Sequence, residues 1–151
     1  MTLIGFEPHE IATGEPTRSA RLKWVVVVDN SLAPGRQVNA AVCVAAATAS
    51  SVQGLLGPGG DDASGVPHPG LPWAGCTVLG ATPERLAAVR AAASEVFIAD
   101  MPAAAQETRV YDEYLEQLAA TPTAELRPLA ISMVGPRADI DRLVKRLSLL
   151  A

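Results

Sequence analysis

With 151 residues, of which 49% are hydrophobic and 19% charged, the chain has the length of one domain and a globular composition, which excludes wholesale disorder. A net charge of −4 and a pI near 5.1 argue against a surface devoted to nucleic acid. Met1 to Pro8 lacks the basic-then-apolar pattern of a secretory signal, and no stretch reaches the ~18 apolar residues of a membrane span, so the cytoplasm is the expected compartment.

Residues Met1 to Ala20 mix charge, glycine and proline without a period. They read as an N-terminal extension packed over a single α/β domain of residues 21–151, with Ile4 and Phe6 as anchors and His9 solvated beside Glu7 and Glu10. Leu22 to Ser51 organises that domain. Trp24 to Val28 is a short β-branched run and predicts a strand buried on both faces, with Lys23 at its entrance and Asp29 at its exit. The Pro34-Gly35 turn then leads into an alanine-rich helix, with Val38, Val42, Ala45, Ala46 and Ala49 at helical spacing predicting its inward face. Asn39 falls in its first turn, near the strand end where ligands of such folds gather.

Gly54 to Pro72 is too rich in glycine and proline for regular structure and predicts a long loop, a lid or a structural one. Its Asp61, Asp62 and His68 have no metal-ligand spacing; they either cap turns and pin the loop or lend His68 and Asp61 to a ligand site. The cysteines, Cys43 and Cys76, form no metal motif and read as reduced and buried. No metal and no cofactor is expected.

Cys76 to Leu79 predicts a second strand, and Thr82-Pro83-Glu84 opens a helix reaching about Ser94 with Leu86, Val89 and Ala93 inward. Val96 to Ala99 predicts a third strand, Glu107 to Ala120 a helix and Leu129 to Val134 a fourth strand. The last helix is placed at Ala138 to Leu147, with Asp141 and Lys145 as an outward i,i+4 pair. This alternation predicts a three-layer α/β/α domain with a four-stranded, mostly parallel or mixed sheet.

Four segments, KWVVVVDNSLAPGRQVNAA, DDASGVPHPGL, YDEYLEQLAATPTAEL and ISMVGPRADIDRLVKRLSLL, resemble in order and spacing the domain of unknown function 2000 family. That family is related in fold to type II peptidyl-tRNA hydrolases, so the resemblance implies a hydrolase II-like fold and a homodimer. Lys23, Gly35, Ala40 with Ala41, and Gly135 match those hydrolases, whereas Ser31 replaces their acidic turn residue and Val42 and Ala45 replace their glutamine and histidine. Ester hydrolysis needs water activation and charge stabilisation. Candidate catalytic residues are therefore Lys23 and Asp29, with His68 as an imidazole brought in by the loop; Asn39, Ser31, Gly35 and Asp61 are candidate ligand contacts. Lys23 and Asp29 sit at opposite ends of one strand, about 20 Å apart at about 3.3 Å per residue. The expected function is that of a peptidyl-tRNA hydrolase II-like protein that lacks ordinary peptidyl-tRNA hydrolysis and binds a small ligand at the strand-end crevice. The alternatives are a hydrolase acting on peptidyl- or aminoacyl-tRNA, which the acidic pI disfavours, and a non-catalytic dimeric interaction protein. The last helix carries Arg137, Arg142, Lys145 and Arg146, interrupted by two aspartates, and reads as a solvated face or, less simply, an RNA-binding surface.

Overall fold

Leu22–Asp29 form strand β1, and every residue of it except Lys23 is buried. Pro34 then occupies the first helical position, where its missing N–H costs nothing, and α1 runs Pro34–Ser51. In the computed structural model, which describes residues 4–151, the glycine-rich segment carries only a two-residue ladder, β2 (Gly60–Asp61) with β3 (Pro67–His68), and a bridge from Leu56 to Pro72. The first three residues of the predicted extension lie outside the described residues. After the loop come β4 (Thr77–Ala81) and α2 (Pro83–Ala92), the helix capped by the Thr82 hydroxyl oxygen, which accepts the Arg85 N–H at 3.3 Å. Then follow β5 (Phe97–Pro102), α3 (Ala103–Glu107), α4 (Tyr111–Ala120), β6 (Pro128–Pro136), α5 (Arg137–Leu143) and β7 (Ser148–Leu149).

The main sheet is mixed and five-stranded, in the order β5-β6-β1-β4-β7. It therefore has one strand more than the alternation predicts. The extra strand arises because the last helix stops at Leu143, short of the expected Leu147; Arg146 turns the chain with a left-handed φ of 71°, and Ser148 pairs with Gly80 on the β4 edge. Only β1 and β4 run parallel, since the other three pairs are antiparallel. The early end of α5 also dissolves the expected Asp141–Lys145 pair: Asp141 Oδ1 accepts from Lys23 Nζ at 2.6 Å instead.

Alternation along β1 divides the core between two faces. Trp24, Val26 and Val28 pack with Ala40 and Val44 of α1, whereas Val25 and Val27 pack with Leu86 and Val89 of α2 and Ile140 of α5. Helices on both faces of a sheet give three layers. The predicted inward face of α1 is corrected: Ala40, Val44 and Thr48 are buried, while Val38 and Val42 stand 60% and 59% exposed. Alanine surrounds this helix, so its amphipathic pattern is shallow, and contacts with the sheet decide which stripe turns inward. The cysteines are corrected too, because both Cys43 and Cys76 are exposed. The predicted 107–120 helix starts later, as α4 at Tyr111, and residues 108–110 separate it from α3, a short helix over 103–107 that was not predicted.

The loop and the extension brace each other. Phe6 packs on Trp73 with ring centroids 4.9 Å apart, its N–H donates to Gln53 O at 2.9 Å, and Trp73 Nε1 donates to Gly54 O at 2.7 Å. Gly54 holds φ at 78°, and a Cβ there would stand 2.8 Å from Phe6, so glycine is required twice over.

Candidate functional site

The parallel β1–β4 pair fixes which predicted residues meet. Val25 faces Thr77 near the start of both strands and Asp29 faces Ala81 near their ends. The glycine loop enters β4 at Thr77, so it lies at the Lys23 end of the sheet, opposite to Asp29. His68 accordingly does not join the strand-end residues: its Nε2 stands 3.1 Å from Asp62 Oδ2, on the exposed loop. That contact, with the Val66 and Ser64 N–H groups behind it, holds the Asp62 carboxyl below the usual range. Asp61 is exposed in β2.

At the far end Asp29 is fully buried and occupied. Oδ1 accepts from the Ser31 N–H at 2.9 Å and from Ser31 Oγ at 2.6 Å, while the Arg127 guanidinium lies 3.5 Å from Oδ2. This is the geometry of an Asx turn closing the chain reversal. Ser31 is thus a partner of Asp29, and Gly35 sits in the first turn of α1 with open space where a Cβ would be. Asn39 is exposed and accepts from Gln106 Nε2 at 3.1 Å, which ties α1 to α3. Lys23 is held by Asp141 at its own end of β1. The structure joins Asp29 with Ser31 and leaves Lys23, His68 and Asp61 apart from them.

A concavity with both an apolar floor and polar groups lies between the side of α1, the outer strand β5 and the α3–α4 pair. It is a groove of about 560 Å³, within the range of small-molecule sites. Val44 and Met101 form its apolar floor, and Tyr114, Asp100 and Arg109 supply its polar groups. Asp100 is neutralised by Arg90 Nε at 2.9 Å, whereas Arg109 has no carboxylate partner among the described residues. Tyr111 and Tyr114 meet edge to face with centroids 5.5 Å apart. Burial pushes the Tyr114 phenol upward, and the neighbouring Tyr111 and Asp100 add to it, so the group is a neutral hydroxyl over the working pH range.

Sequence reasoning missed this groove because its walls come from residues 43–47, 100–101 and 105–114. The usable signal was the break at 108–110, which frees α4 to stand away from the sheet, and the i,i+3 tyrosine pair that follows it. Among the described residues no group of three or more His, Cys, Asp and Glu side chains is placed to hold a metal ion, and no helix is long and apolar enough to cross a membrane. Cys76 stays a thiol, since burial of its sulfur pushes it up to about 12 even though the residue has an exposed edge.

The fold has a solved counterpart. The structure of a protein of unknown function, Atu0240 from Agrobacterium tumefaciens strain C58, superposes with a TM-score of 0.78 at 16% identity, covering 87% of this chain and 98% of that one. No curated protein matches the chain. The model of the family described as protein of unknown function (DUF2000) matches residues 22–151, which is β1 through the C-terminal residue. On that match the chain belongs to the DUF2000 family.

Proposed function

We propose that this protein binds a small molecule with an apolar body and an acidic end in the groove between α1, β5 and α3–α4, and that it does not carry out ordinary peptidyl-tRNA hydrolysis. One observation carries the reading: an apolar groove of about 560 Å³ holds a cation without a carboxylate partner among the described residues, Arg109, beside the partly buried phenol of Tyr114. A carboxylate paired with Arg109 and hydrogen-bonded by Tyr114 would leave its hydrocarbon part against Val44 and Met101. The binding site thus moves from the strand end, where Asp29 is already satisfied, to the neighbouring groove.

The relation in fold to type II peptidyl-tRNA hydrolases belongs to this reading. It is supported by the matches at Lys23, Gly35, Ala40, Ala41 and Gly135, and by the pairing of Lys23 with Gly135 across the β1–β6 ladder. The hydrolase activity is not supported: Lys23 is engaged by Asp141, and neither Asp29 nor His68 stands with it as a base. The protein is read as cytoplasmic and homodimeric. The outward strip of α1, where Val38 and Val42 are exposed and no charged side chain intervenes, is the surface that favours pairing with a second copy.

The test is a thermal-shift screen of aliphatic and aromatic carboxylates, run beside a peptidyl-tRNA hydrolysis assay with an active type II enzyme as control. Stabilisation of the wild type that is lost in Arg109→Gln, with no turnover of peptidyl-tRNA, supports the reading. Turnover that Lys23→Ala abolishes would replace it with the hydrolase reading.

A further inference from the structure

Four of the chain's twelve lysines and arginines converge on one cleft on the opposite face of the sheet from α1. Arg85 comes from α2, Arg142 from α5, and Lys145 and Arg146 from the turn between α5 and β7. The cleft encloses about 470 Å³ over a floor that includes Val89 and Leu143, and no carboxylate lines it. Among the described residues only Arg142 of the four has an acidic partner, Asp139 Oδ1 at 2.9 Å; the neighbouring Asp141 is taken by Lys23. The Arg85 guanidinium donates to the Lys145 carbonyl at 3.2 Å and so locks α2 to the turn. Arg146 holds a left-handed φ of 71°, a backbone state that favours glycine, yet a cation occupies it. In a chain of net charge −4, this convergence concentrates positive potential at one point.

We propose that this cleft binds a compact oligophosphate, two or more linked phosphoryl groups such as those of a nucleoside di- or triphosphate. Linked phosphates place several charges within a few ångströms of one another, which suits cations brought together from α2, α5 and the turn after α5 around one cavity. A polynucleotide would need basic groups spread along a track, and these four do not form one. The apolar floor offers a surface for whatever the phosphates are attached to. The proposal is independent of the groove, which lies across the sheet.

The experiment is isothermal titration calorimetry of the whole protein with tripolyphosphate, orthophosphate and a single-stranded RNA oligonucleotide in separate arms. The variant is the double substitution Lys145→Gln with Arg146→Gly, the glycine suiting the left-handed backbone. Arg18→Gln removes one charge outside the cleft as a control. The expected result is saturable tripolyphosphate binding at least tenfold tighter than orthophosphate, weakened at least tenfold in the double variant and unchanged in Arg18→Gln. Ligand-free, Arg18→Gln should melt with the wild type and the double variant no lower than it, since glycine relaxes the left-handed backbone at 146. Absence of saturable tripolyphosphate binding by the wild type would overturn the proposal. Equal binding by the double variant would overturn it as well, and RNA binding tighter than tripolyphosphate and lost in the same variant would assign the cleft to a polymer.

Discussion

The hydroxyl oxygens of Thr48 and Ser132 stand 2.6 Å apart in the buried seam between α1 and the sheet. Trp24 Nε1 donates to Ser132 Oγ at 2.8 Å, and the Thr48 hydroxyl donates to the Val44 carbonyl at 2.7 Å. Each hydroxyl has one proton, so the Ser132 proton goes to Thr48, giving a single line of donation from indole to helix carbonyl. Ser132→Ala strands the Trp24 N–H in the core and should cost about 1–3 kcal/mol. Thr48→Val keeps the shape and still leaves Ser132 able to accept from Trp24, so it should cost less. Urea unfolding reads both as shifts in midpoint at constant slope.

Asp29→Ala removes the acceptor for two Ser31 donors and should destabilise the protein by about 1–3 kcal/mol, while Asp29→Asn, which keeps one acceptor oxygen, loses less. Because Asp29 closes a turn and does not line the groove, carboxylate binding per folded molecule should survive both changes. A loss of affinity with stability intact would place Asp29 in the site.

One contact of the N-terminal extension, the exposed Arg21–Glu10 pair, should be lost in acid while Phe6 keeps the segment docked. A side-chain hydrogen bond from Arg21 lowers the Glu10 carboxyl from 4.5 to about 2. A lowered folded-state value means that the contact contributes above pH 4.5 and is lost as pH falls towards about 2. Amide shifts of Ile4 to Ile11 followed through that window should move together, and in Arg21→Gln the Glu10 titration should return towards 4.5. An unchanged titration in that variant would assign the shift to another cause.

Helix α4 has no buried residue, and Tyr111 on it is 72% exposed. Its amides should exchange with solvent faster than those of α1, since local opening there exposes little apolar surface. A ligand in the groove should slow them, because α4 is the outer wall. Exchange equal to that of α1 in the free protein would contradict this.

Much of this fold was legible locally. The valine run of β1, the Thr82-Pro83 helix start and the loop character of 54–72, which holds no more than the two-residue β2–β3 ladder and one bridge, each follow from the chemistry of a few adjacent residues. What was not legible depends on distant contacts. β7 has two residues and exists only because Gly80 offers an edge to Ser148. The buried stripe of α1 is selected by Ser132 meeting Thr48, a pairing 84 residues apart, and not by its own shallow pattern. Strand–helix alternation predicted a mostly parallel or mixed sheet and the sheet is mixed, but which pairs run antiparallel was not legible: β6 returns antiparallel beside both β5 and β1. Lys23 and Asp29 were recognisable as polar ends of a buried strand, but their partners, Asp141 for Lys23 and Ser31 with Arg127 for Asp29, come from other parts of the chain or from turn geometry that the run itself does not encode. Arg109 and Tyr114 gave no motif, because only the α3–α4 break brings them over α1.

The most direct test of the groove is a heteronuclear NMR titration of the protein with 4-phenylbutyrate, beside the variant Ala47→Trp, which fills the groove from the exposed side of α1. Saturable shifts at Cys43, Ala47, Met101, Arg109 and Tyr114, absent in the variant, are the predicted result. Shifts centred on Ser31 and Asn39, or on Lys23 and His68, or unchanged binding by Ala47→Trp, would contradict it.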